Sequence, residues 1–207
     1  MKLPHQYLLI TTFFISFFCF SNIIWAGVNR EPSINVPVNE LHASLVNIMK
    51  DASTKSFQER YNVMEEVMVT HFDIPLIAKV ILGRYWKTLE KKEQTDFIDS
   101  FNRLTISTYV HQFNSYNGEL FRTLSIEQMK KNRFVIKTEF VRIDDTPVSF
   151  NYIVQNNKGA WKIISVIANG INDLSLKRAD YSSVIKKRGF DSLITSLKQK
   201  ISDIQTK

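Results

Sequence analysis

The sequence predicts an α+β fold in which a helical layer packs on a curved, mainly four-stranded antiparallel sheet, a cone-shaped arrangement with further helices at the C-terminus. Three observations carry that prediction. Apolar residues recur at three- and four-residue steps up to about Tyr116; the period then drops to two through four short segments; and a helical stripe returns from Phe190 onward. Segregated blocks of this kind build helices on one face of a sheet, not alternating βαβ units. With 207 residues, 44% of them hydrophobic, and only 6 Gly and 5 Pro, the chain can bury one sizeable core as a single domain.

At the start, Lys2 precedes an apolar run of 20 residues, Tyr7 to Ala26, with no acidic residue. This reads as a secretory signal over residues 1–26, cleaved after Ala26, which implies export from the cytoplasm. Such a run is also long enough to cross a bilayer, but its flanks favour cleavage. The single cysteine, Cys19, lies within it, so the mature chain has no thiol and must be held by packing. Residues 27–37, with two prolines, read as a flexible lead-in, and the folded domain as 38–207.

The helices follow in order. Val38, Leu41, Leu45, Ile48 and Ala52 form a first stripe. Ser56 and Glu59 have capping-box spacing ahead of a second stripe, Phe57, Tyr61, Met64, Met68 and Phe72. Asp73 can cap a short third helix with Pro75 in its first turn and Gly83 at its end. Arg84, Tyr85 and Trp86 read as an aromatic-packed turn. Between Leu89 and Tyr116, Phe97, Phe101 and Leu104, extended by Tyr109 and Phe113, mark the longest helix, with Lys92, Asp96, Asp99 and Arg103 on its opposite face.

Beyond Asn117-Gly118 four strands are expected, near 120–128, 133–143, 147–155 and 160–168. Lys131-Asn132, Asp144-Asp145 and Asn156 to Gly159 would turn them into a meander. Phe134, Ile136 and Phe140, with Val148, Phe150, Tyr152 and Val154, point one way, and Lys137 and Glu139 the other, so one face is aromatic. Asp180 and Asp191 are expected to cap the final helices, with Gly189 as a break and Leu193, Leu197 and Ile201 in the last stripe.

Chemistry-bearing motifs are sparse. The four histidines include no i, i+4 pair, so no zinc site is expected, and the glycines are too isolated to form a phosphate loop. His71 and Asp73 could pair as acid and base, but capping explains Asp73 better. A net charge of +7 favours anionic surfaces, yet no nucleic-acid-binding motif accompanies it, and a membrane surface fits at least as well. The aromatic load, 15 Phe, 7 Tyr and 3 Trp, serves either an ordinary core or a cleft for an apolar ligand.

The order of motifs resembles the MlaC family of periplasmic phospholipid carriers, also described as toluene-tolerance auxiliary proteins. The likeness runs through Phe72-Asp73, Leu82-Gly83-Arg84-Tyr85-Trp86 and Thr88. Gln94, Phe97, Phe101, Leu104 and Tyr109 carry it along the long helix, then Tyr152, Trp161-Lys162-Ile163-Ile164, Gly170, Gly189, Leu193 and Leu197. Arg178-Ala179-Asp180-Tyr181 looks closer to the hopanoid-associated branch, and Ser165 and Ile171-Asn172-Asp173 depart from the family pattern.

The resemblance implies a non-enzymatic, monomeric carrier that needs no cofactor and takes a phospholipid or related lipid as its ligand. Its partners would be an inner-membrane ABC transporter with an MCE subunit and an outer-membrane lipoprotein complex, with no role for nucleic acid. The expected lipid contacts are Phe97, Phe101, Leu104, Tyr109 and Phe113 on the long helix and Ile136, Phe140, Val148, Phe150 and Tyr152 on the sheet, with Leu82, Tyr85 and Trp86 before them. Two other classes compete: an enzyme on the same NTF2-like cone, which would need polar groups in its pocket, and an exported protein-binding module.

Overall fold

The computed structural model describes residues 33–143 and 145–206. The expected signal at 1–26, Cys19, most of the lead-in and Asp144 of the second hairpin lie outside them. Among the described residues six α-helices flank a five-stranded sheet. Among the described residues no helix is long and apolar enough to cross a membrane.

The first helix, α1 (Val36–Lys50), has Pro37 in its first turn, and buries Val38, Leu41, Leu45 and Ile48 along one face. The second, α2 (Phe57–His71), opens with the expected capping box, Ser56 Oγ accepting from the Glu59 amide and the Glu59 carboxylate accepting from the Ser56 amide. In α3 (Ile74–Leu82) the Asp73 carboxylate accepts from the Leu76 amide at 3.1 Å, and Gly83 ends the helix at φ 55°. A 3₁₀ turn (Gly83–Lys87) leads to α4 (Lys91–Gln112), where Glu90 and Glu93 form a second, carboxylate-based box. Gln94 Nε2 donates to the carbonyls of Trp86 and Leu89, so the aromatic turn is tied to the long helix by its backbone.

The strands are β1 (Leu120–Lys130), β2 (Arg133–Val141), β3 (Val148–Asn157), β4 (Ala160–Ala168) and β5 (Ile171–Asn172), paired antiparallel in sequence order. The fifth, two-residue strand is additional to the four expected. It exists because Asn169 and Gly170 both take positive φ, the requirement of a two-residue hairpin turn, which folds Ile171 and Asn172 back on β4. Lys158 and Gly159 do the same between β3 and β4.

That hairpin moves the start of the next helix. α5 (Asp173–Arg188) is capped by the Asn172 side chain, which accepts from the Ser175 amide. Asp180 therefore lies in the middle of α5 and caps nothing, and Asp191 sits in the first turn of α6 (Phe190–Gln205), whose N-cap position is held by Gly189.

Helices α1, α2, α3 and α5 lie on β4, α4 packs on α2 and α6, and α5 and α6 pair. Backbone contacts lock the layers: Phe72 bridges to Ile163, and the Asp73 amide donates to the Ile163 carbonyl at 3.0 Å. The inward row of β2, Ile136, Thr138 and Phe140, is buried, and Tyr152 and Val154 lie beside it on β3. His42 of α1 enters this aromatic row. It stacks on Phe121 at 4.0 Å and shares a 3.1 Å hydrogen bond with the Tyr152 hydroxyl. Desolvation lowers its pKa to about 4, so it is a neutral core residue.

Candidate functional site

Strand β4 carries a bulge. Ile153 pairs with Ser165 and Val154 with Ile163, leaving Ile164 unpaired. Past the bulge the inward-facing residues of β4 shift from Ile163 to Val166 and Ala168, which oppose Tyr152 and Phe150. Small and medium side chains at these two positions leave a hollow where α4, α5 and α6 approach the sheet.

The hollow is a cavity of about 680 Å³, open to solvent. Its α4 wall is Phe101, Leu104, Thr105, Thr108, Tyr109 and Gln112, one helical face, continued by Phe113 just past the helix end. The Thr105 and Thr108 hydroxyls donate to the carbonyls of Phe101 and Leu104, and so are satisfied within the helix. Met68, Phe72, Ile74 and Ile77 supply the end of α2 and the start of α3, while Phe150, Val166 and Ala168 form the floor. Leu174, Leu176 and Tyr181 of α5 and Ile204 of α6 close the far side. The charged groups at the cavity, Asp173, Lys177 and Asp180 of α5 with Lys200 and Asp203 of α6, all come from the C-terminal helix pair.

Burial, and after it the charge of Asp173, hold the Tyr109 hydroxyl protonated well above its ordinary range. Burial acts likewise on Tyr181, assisted by Asp173 and Asp180. Ser165 is buried beside the floor, and its hydroxyl has no hydrogen-bond partner among the described residues. A smaller recess of about 260 Å³, containing Arg133 and Arg178, meets the main cavity at Ser165 and Leu174.

Of the residues expected to contact a ligand, Phe101, Leu104, Tyr109, Phe113 and Phe150 line this cavity. The others lie elsewhere. Phe97 is fully buried between Phe101 and Tyr181, and Leu82 is buried at the end of α3. Ile136 and Tyr152 are sealed in the core, Phe140 packs on Phe113 and Phe121, and Val148 is half-buried against the same cluster. Tyr85 and Trp86 belong to the 3₁₀ turn, with Arg84 donating to the Tyr85 hydroxyl. Sequence reasoning missed the wall made by α5 and α6. Its visible signal is Tyr181 in the quoted Arg178-Ala179-Asp180-Tyr181, with Ile204 continuing the apolar spacing of Leu193, Leu197 and Ile201.

The fold and the site define an α+β container, a helix-on-sheet protein with an open, mainly apolar chamber. The chain belongs to the MlaC protein family, whose model matches residues 39–199. It is similar to the intermembrane phospholipid transport system binding protein MlaC of Haemophilus influenzae, with 19% identity over 144 residues, 68% of this chain and 67% of that protein. Its fold is similar to that of a phospholipid-binding protein from Ralstonia solanacearum solved in complex with a phospholipid. The TM-score is 0.75 at 18% identity, covering 84% of this chain and 99% of the other.

Proposed function

We propose that this protein is a periplasmic carrier that shields phospholipid acyl chains in the cavity between α4, the sheet and the C-terminal helices while moving the lipid between inner- and outer-membrane complexes. The single observation behind this reading is an open apolar chamber of about 680 Å³, within the size range of small-molecule sites. The relatives' phospholipid binding and transport support it. Exposing two acyl chains of roughly 30 methylenes to water costs over ~20 kcal/mol at ~0.8 kcal/mol each, so transfer through water requires such a chamber. Its charged groups stand on the C-terminal helices, and among the described residues none is paired with a histidine to form an acid–base couple, which favours a carrier over an enzyme. In this reading one partner is an inner-membrane ABC transporter with an MCE subunit, and the other is an outer-membrane lipoprotein complex.

The test is lipid extraction and mass spectrometry on the mature protein, purified without detergent from a host that makes phospholipids and hopanoids. Near one diacyl phospholipid per chain is expected. A hopanoid would redirect the chamber to polycyclic lipids, and an empty protein would favour a protein-binding module.

A further inference from the structure

The apolar walls of the cavity grip chains and cannot tell one headgroup from another. The charged residues can. Asp173, Lys177 and Asp180 recur along one face of α5, and Lys200 and Asp203 are three apart on α6, so the paired helices present both signs of charge to the same chamber. Lys177 is engaged by Asp173. Lys200 and Asp180 stand 4.0 Å apart, the longest ion pair among the described residues, and the Asp203 carboxylate accepts the Gln199 side-chain amide at 2.7 Å. Three carboxylates against two ammonium groups leave this rim net negative, on a chain whose overall charge is +7. Asp173 and Asp180 line the same chamber as Tyr109 and Tyr181.

We propose that this rim selects zwitterionic headgroups, a phosphate joined to an amine, over anionic ones, an inference that rests on the chamber holding phospholipid chains. An arriving phosphate meets Lys200, and its ammonium meets Asp180 or Asp203, so the loose Lys200–Asp180 pair is split by a ligand that supplies both missing charges. An anionic headgroup gains the lysine contact but brings its net charge to a rim already negative, with no cation to offer the carboxylates. The groups are solvent-accessible, so the discrimination is modest, roughly twofold to fivefold.

The experiment equilibrates mature protein with excess vesicles containing equal amounts of deuterated phosphatidylethanolamine and phosphatidylglycerol with identical chains, then measures protein-bound lipid by mass spectrometry. The bound ratio should exceed the vesicle ratio roughly twofold to fivefold in favour of phosphatidylethanolamine. Asp180→Asn with Asp203→Asn should bring it to one or below, and Lys177→Gln with Lys200→Gln should raise it. Bound lipid that mirrors the vesicles in all three proteins, at one lipid per chain, overturns the selectivity and leaves the carrier reading standing. No deuterated lipid on any of them overturns both.

Discussion

Phe150 is the residue at which core and chamber meet. Its ring lies 6.4 Å from Tyr152 and 6.2 Å from Phe121 on the core side, yet it is half-buried and faces the cavity. A carboxylate there would be presented to acyl chains with no counter-charge on the floor, where Val166 and Ala168 are its neighbours. Phe150→Glu should therefore lower co-purified lipid by roughly tenfold while circular dichroism stays unchanged, and full lipid occupancy would remove Phe150 from the site. Tyr152 is a contrasting case two residues on: it is sealed, and its hydroxyl serves His42. Tyr152→Phe leaves the imidazole nitrogen without that partner, and should cost about 1–3 kcal/mol in urea unfolding with lipid content unaffected.

Among the elements, those with a strong period were legible and those that depend on turn geometry were not. α1, α2 and α4 announce themselves by stripes, and Asp73 was readable as a cap because Pro75 follows it and Gly83 closes the helix. In the structure that aspartate also accepts from Asn157 at 3.3 Å, which ties α3 to the β3–β4 turn. Asp73→Ala should accordingly lower stability by about 1 kcal/mol, measured as a denaturation midpoint, with no change in bound lipid. Loss of a measurable turnover in that variant would instead revive the enzyme class. The bulge at Ile164 is hidden because Trp161 to Ala168 is an almost unbroken apolar run whose pattern does not mark an extra residue, and one extra residue reverses the facing of all that follow. The start of α5 is hidden for a related reason, since the expected strands stop at 168 and the expected cap is Asp180. No turn is expected at Asn169-Gly170, where both residues take positive φ, and α5 buries little beyond Tyr181, so no stripe marks where it begins. Both errors fall on elements that build the chamber, which is why the aromatic face was legible and the position of the cavity along it was not.

At the scale of the molecule, acid sensitivity follows from how α1 is fastened to the sheet. An unfolded histidine titrates near ~6.5, whereas burial between α1 and the sheet lowers His42 to about 4. Between these values the unfolded chain binds a proton that the folded chain excludes, so stability must fall as pH drops from about 6.5 toward 4; this group adds no slope above that window. The gap corresponds to a loss of order 3 kcal/mol, and His71, lowered chiefly by its own burial, adds to it with the same sign. His42→Phe keeps an aromatic ring for the stack on Phe121 and removes the titrating group. Urea midpoints at pH 7 and pH 4.5 should then show a large drop for the natural chain and one smaller by roughly 2–3 kcal/mol for the variant. Equal drops would mean that the acid response comes from groups outside this contact. The stacked, hydrogen-bonded His42 packs on Phe121 and on Tyr152, whose ring in turn stacks on Phe150, so acid acts on the contact that fastens α1 to the sheet.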